Sequence, residues 1–204
     1  MGKFKKMLAV VLAGSVMLGM AGCSKGNKIK ALTKKEYKKI LLDDVGVEKD
    51  DYHTFDGAGL GQIKACDGET IQARYKSCVA FISIFDEADD AEDFFDELIG
   101  YTEDFAGDER RMENFEMFDG ELIYESNDGY GYIIMTCNAG PVLSFFGDAN
   151  VGTEDFYGAV YYADNVVVRI VPEAGIYEDG DSKHIIEIIE ALGYPTMEDV
   201  GDTK

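Results

Sequence analysis

Tryptophan is absent from all 204 residues. A site that grips sugars on indole rings is therefore disfavoured, although 12 tyrosines and 12 phenylalanines offer other rings. Histidine is nearly absent as well: His53 and His184 are the only imidazoles. A nucleophile–His–Asp arrangement would have to use one of them, whatever the order along the chain. His53 falls in a loop-like stretch and His184 in the first turn of a helix, so both read as surface residues. No His-Glu-x-x-His helix, no Gly-x-Ser-x-Gly elbow and no Cys-x-x-Cys pair occurs. The metalloprotease, serine-hydrolase and thiol-redox signatures are thus missing. Carboxylates are so numerous that no glycosidase-like pair stands out. A calcium loop begins at Asp148, Asn150 and Glu154 but fails, because Ala159 occupies the position of the bidentate acid. No catalytic residue, cofactor or metal ligand is expected, and the reading leans away from an enzyme.

Positive charge is also scarce. The chain has 19 Lys and Arg against 40 Asp and Glu, a formal charge of −21. The imbalance is uneven. Residues 24–39 carry seven lysines and one acid, whereas residues 40–204 carry 9 basic and 39 acidic residues. A nucleic-acid partner is excluded, since phosphate backbones are bound through Lys and Arg. A cationic ligand or protein partner fits the acidic body, and the basic stretch suits an anionic headgroup surface.

One long apolar run is present. Lys3, Lys5 and Lys6 precede an uncharged stretch from Met7 to Gly22. That is the layout of a secretory signal peptide, and at 16 residues the stretch is shorter than the roughly 20 that span a bilayer. It ends Met20-Ala21-Gly22-Cys23, followed by Ser24. These residues resemble the lipobox of bacterial lipoproteins, with Met20 where that pattern prefers Leu. The resemblance implies cleavage before Cys23, diacylglycerol on its thiol, and residence on the outer face of the cell membrane through palmitate-type lipid. N-myristoylation is excluded because Lys6 stands where Ser or Thr is needed.

The expected organisation is a signal peptide at 1–22, a lipidated tether at 23–31, one α+β domain at 32–195 and an acidic tail at 196–204. A first helix opens with Thr33 and Glu36 at capping-box spacing, with Leu32 and Tyr37 placed as a hydrophobic staple, and closes at Gly46. Residues 47–60 read as loop. Asp67-Gly68 reads as a hairpin turn between strands 61–66 and 69–76. The run 77–85, apolar on both faces, reads as a central strand, with a bulge or bend between Tyr75 and Cys78. A second helix is predicted over 87–99, ended by Gly100. Strands follow at 114–118, 121–125, 130–137, 142–146, 157–162 and 166–171, separated by Asp-Gly, Asn-Asp-Gly and similar turns. A third helix covers 183–192. Serial hairpins imply an antiparallel sheet of about six to eight strands on which three helices pack.

This order resembles the extracellular sensor domains of mycobacterial serine/threonine kinases, and the chain as a whole resembles lipoproteins of Gram-positive bacteria. The likeness to the sensor domains covers about residues 70–193: a strand feeding an acidic helix (81–95), then a Tyr/Val-rich hairpin before a final helix (157–192). That family's paired cysteines are absent here, and no functional residue is carried over.

Cys66, Cys78 and Cys137 remain after the anchor. Cys66 and Cys78 do not face each other across an Asp67-Gly68 turn, Cys78 with Cys137 is geometrically open, and three small buried hydrophobes is the plainer reading. Tyr130 and Tyr132 alternate on one strand face and form a ligand platform if they are not simply packed. By elimination the expected function is a non-catalytic binding or sensing module at the outer membrane face. The alternatives are an extracytoplasmic hydrolase and a structural subunit of an envelope complex.

Overall fold

The computed structural model describes residues 29–60, 63–138, 142–146, 156–173 and 181–201. Cys23 and the segment before it lie outside these residues, as do Asp148, Asn150 and Glu154.

The protein is an α+β domain built on one seven-stranded sheet. The strands are β1 (Tyr52–Leu60), β2 (Ile63–Tyr75), β3 (Cys78–Phe85), β4 (Glu121–Asn127), β5 (Tyr130–Cys137), β6 (Phe156–Ala163) and β7 (Val166–Pro172). Their spatial order is β1-β2-β3-β7-β6-β5-β4. Every neighbouring pair is antiparallel, so two meanders, β1–β3 and β4–β7, meet along β3 and β7. β3 is buried on both faces, as its unbroken apolar run requires, and β6 and β7 are too.

Helices cover both faces. On one side lie α1 (Lys34–Lys39), its π-helical continuation Ile40–Val45, α4 (Asp181–Leu192) and α5 (Met197–Gly201). They bury Tyr37, Leu41, Ile185, Ile188, Ile189 and Leu192 against Ile71, Ile82, Tyr161 and Ile170 of the sheet. On the other side, α2 (Ala88–Gly107) and α3 (Glu109–Glu116) bury Phe95, Leu98, Phe105 and Phe115 against Ile133, Met135, Val160 and Tyr162. The alternation of side chains along each strand feeds two separate cores. Among the described residues no helix is long and apolar enough to cross a membrane.

The first helix follows its sequence closely. The Thr33 hydroxyl accepts from the Glu36 N–H at 3.3 Å, and the Glu36 carboxylate accepts from the Thr33 N–H at 2.7 Å. Gly46, at φ 88°, closes it.

Elsewhere tertiary contacts override local signals. The segment 47–60 is not a loop: Val47 is buried and β1 starts at Tyr52. Asp67-Gly68 is not a hairpin tip, because β2 runs through it and Ala58 of β1 lies opposite Cys66. Gly68 sits at φ 135° where the β1–β2 register shifts. From there the distal hairpin folds over the α2 side of the sheet. Thr70 donates its hydroxyl to the Gly57 carbonyl at 2.8 Å, and Ser83 donates to Gly59 at 2.5 Å. The apolar slip between Tyr75 and Cys78 is the two-residue turn joining β2 to β3, with Lys76 at φ 54°.

Three further expectations are corrected. The second helix continues past Gly100 to Gly107, since Thr102 and Phe105 extend its buried stripe. Residues 114–116 complete α3 and 117–118 turn away from it, rather than forming a strand, and Phe115 packs edge-on to Phe105 at 5.6 Å. Ser144–Phe146 is a 3-10 turn whose two phenyl rings enter the α2-side core. Part of the expected acidic tail is ordered: Met197 of α5 is buried, and its N–H donates to the Tyr157 hydroxyl at 2.8 Å.

Candidate functional site

Tyr130 and Tyr132, the expected ligand platform, point toward the α1–α4 layer. Tyr132 is buried in that core, and its hydroxyl donates to Glu125 at 2.8 Å. Burial and the neighbouring carboxylate raise that hydroxyl's pKa well above the usual tyrosine value. Tyr130 is half-buried beside the same core. Little open ring remains on this pair for a ligand.

Tyr132 instead belongs to a tyrosine-rich core. Tyr161, opposite it on β6, donates to the Pro195 carbonyl at 2.6 Å and packs 4.9 Å from the Tyr194 ring. The Tyr194 hydroxyl lies 2.7 Å from that of Tyr37 and donates to the Lys30 carbonyl at 3.3 Å. Burial pushes both the Tyr37 and Tyr194 hydroxyls up. Ile29 is buried in the same core, so the chain entering the domain is tied to α1 and to the end of α4.

The histidines do not converge on a site. His53 is exposed on β1, tilted against Phe55 at 6.3 Å. His184 lies in α4, edge-on to Tyr75 at 6.0 Å, with its Nδ1 buried and unpartnered. Beside it Glu187 accepts from Tyr75 at 3.1 Å and pairs with Lys76 at 3.6 Å and Lys183 at 3.9 Å. Partial burial raises the Glu187 pKa, but Tyr75 and the flanking cations outweigh it and hold the carboxyl below its usual value. The group reads as a structural tie between the β2–β3 turn and α4. Among the described residues, no three His, Cys, Asp or Glu side chains are grouped to hold a metal.

The cysteines are structural in placement. Cys78 lies in the α1-side core and Cys137 in the α2-side core, so the sheet separates them and the Cys78–Cys137 pairing left open by the sequence is ruled out. Cys66 packs against the α2-side core.

Among the described residues, one open concavity of about 450 Å³ lies beside Gly46 and Lys49, and two more meet at the α2–α3 junction, where apolar side chains rim them. Asp108 ends α2 and caps α3, its carboxylate accepting from the Arg111 N–H at 3.1 Å and pairing with the guanidinium at 3.4 Å. Two open grooves meet at Arg111. One, of about 390 Å³, is lined by Tyr101, Asp104, Phe105, Arg111, Val142 and Leu143. The other, of about 610 Å³, is lined by Asp108, Arg110, Glu113, Asn114 and Met117 beside Arg111. Exposed apolar side chains rim them: Tyr101 is 51% exposed and Met117 77%. Exposed large apolar groups beside a concavity mark contact surfaces more often than isolated ones do.

The charge there is one-sided. Residues 88–116 hold twelve Asp and Glu against Arg110 and Arg111. Every lysine with a described side chain lies on α1, on α4 or in the turns beside them. The sequence carried a signal that the expected strand at 114–118 hid: an Arg-Arg pair in a body otherwise poor in cations.

Comparison with protein-family models, with curated proteins and with solved structures finds no match to this chain.

Proposed function

We propose that the protein is a lipid-anchored, extracytoplasmic binding or sensing module whose contact surface is the α2–α3 junction. Lipidation is assigned to Cys23 from Met20-Ala21-Gly22-Cys23. The observation that carries the binding reading is the joined pair of grooves rimmed by Tyr101 and Met117. They lie on the face of the sheet opposite the core that holds Ile29, where the chain enters. A domain anchored through residue 23 would therefore offer the grooves outward. The acidic helices around them suit a cationic partner, whose encounter complementary charge accelerates. The rim suits a partner that also carries apolar groups. The order of elements, which resembles extracellular sensor domains, agrees with such a role.

Two measurements on the lipoprotein in its own membrane test this. Intact mass of the purified protein should show diacylglycerol on an N-terminal Cys23; a mature form starting elsewhere defeats the anchor. A photo-crosslinker placed at Met117 should give an adduct that the same probe at Lys49 does not, and Arg111→Glu should alter its yield. Equal adducts at both positions would remove the α2–α3 assignment. Turnover of a wall glycan or peptide by the purified protein would replace binding with hydrolysis.

A further inference from the structure

We infer that the lysine-bearing outer face of α1 docks on an anionic lipid bilayer and thereby fixes the orientation of the whole domain. The inference rests on the anchoring at Cys23 proposed above and adds a second, electrostatic contact to it.

The helix supplies the geometry. Tyr37 and Leu41, four residues apart, are fully buried. Lys35 and Lys39, also four apart, fall on the opposite side of the same turns and are exposed. Lys34 and Lys38 flank them; the first pairs with Glu69, and the second lies 5.7 Å from the Tyr52 ring centroid. These contacts turn the two flanking ammonium groups toward neighbouring side chains, with both lysines still exposed. Lys35 and Lys39 have no such internal ion pair among the described residues. The capping box and the buried Tyr37 make α1 a fixed platform rather than a flexible basic tail.

The chain length supplies the proximity. Ile29 is buried and stands six chain steps after Cys23, with five residues between them. Fully extended, those steps reach about 20 Å. The lipidated residue therefore cannot lie farther than that from Ile29, which packs in the same core as Tyr37 of α1. A domain held so close cannot turn its α2–α3 face to the bilayer without carrying its acidic helices into an anionic surface. Turned the other way, it presents lysines. The helix also carries Glu36, whose carboxylate is engaged by the Thr33 N–H in the capping box, and the next acid, Asp43, stands four residues and about 6 Å along the axis beyond Lys39. From Lys35 that acid is about 12 Å away, past the screening length of roughly 8–10 Å at physiological salt, so the attraction to an anionic surface is greatest at the start of α1.

A single basic side chain near an anionic leaflet favours contact by about fivefold. The lipidated mature protein, reconstituted in vesicles, gives the test. Amines are labelled with a membrane-impermeant reagent and read residue by residue by mass spectrometry. In vesicles of phosphatidylglycerol and phosphatidylcholine, Lys35 and Lys39 should label at least about fivefold less than in phosphatidylcholine alone. Raising the salt to 1 M should restore labelling. In Lys35→Glu/Lys39→Glu, labelling of Lys34 and Lys38 should no longer depend on lipid charge, and the unchanged circular dichroism of that variant would exclude misfolding. Equal labelling of Lys35 and Lys39 on both lipid compositions overturns the docking while leaving the anchor intact. Protection on neutral vesicles that appears only with added polyphosphate would assign the face to a soluble polyanion instead. Absence of lipid on Cys23 in the same mass spectra would overturn the anchor itself.

Discussion

Gly68→Ala separates the fold from its most tempting sequence reading. At the tip of an Asp-Gly hairpin, residue 68 would face solvent, and alanine there would cost about 1–2 kcal/mol for the left-handed backbone alone. In the structure Gly68 is mid-strand on β2, at φ 135°. A Cβ there would overlap the Ile84 carbonyl oxygen and stand 3.0 Å from the Cα of Phe85. Both are backbone atoms of the central strand and cannot swing aside as a side chain would. Backbone strain of about 1–3 kcal/mol adds to displacement of the β2–β3 ladder, for a total of about 3–4 kcal/mol. With a urea m-value near 2 kcal/mol/M, the midpoint should fall by roughly 1.5–2 M. Gly100→Ala is the companion. Read as a helix stop, Gly100 would resist alanine. In the structure it lies within α2, where a Cβ would meet nothing within 4 Å beyond the adjoining helix backbone among the described residues. Alanine should then stabilise by about 0.5–1 kcal/mol. Urea unfolding followed by circular dichroism measures both. A loss of no more than about 2 kcal/mol at 68, or any destabilisation at 100, would refute the placement of these glycines.

Other outcomes follow from the same contacts. Tyr194→Phe should cost about 1–3 kcal/mol, because it leaves the buried Tyr37 hydroxyl with only the 3.5 Å bond from the Leu32 N–H, and should expose the chain near Lys30 to limited proteolysis. Burial raises the Tyr157 and Tyr162 hydroxyls to about 12, above their ordinary value of 10. Between those pH values the unfolded chain sheds protons that the folded one keeps. Their contribution to stability is thus complete below pH 10 and is lost toward pH 12; absorbance at 295 nm and circular dichroism should change together there. Cys23→Ala should leave the unprocessed precursor in the membrane fraction, seen as a slower band on an immunoblot. Calcium or chelator should move the melting temperature by no more than a degree or so in scanning calorimetry, since a larger shift requires specific binding to the folded state.

The sequence by itself determined what depends on neighbours along the chain. The capping box of α1, the turn at Asp128-Gly129 and the double-sided apolar runs of β3, β6 and β7 each carry their cause within a few residues. With the strand and helix periods, these were enough for an antiparallel sheet covered by helices. Tertiary structure alone decided the rest. Thr70 and Ser83 pull Gly57 and Gly59 across the sheet, so a local turn signal at Asp67-Gly68 becomes a bent strand. Phe105 and Phe115 need a common core, so a segment with strand-like spacing becomes α3. The second of these choices also forms the grooves at Arg111, which explains why the candidate site was hidden while the scaffold was legible. Hydrogen bonds and apolar contacts between residues distant in sequence outweigh local preferences of about 1 kcal/mol, and no window of neighbouring residues contains them.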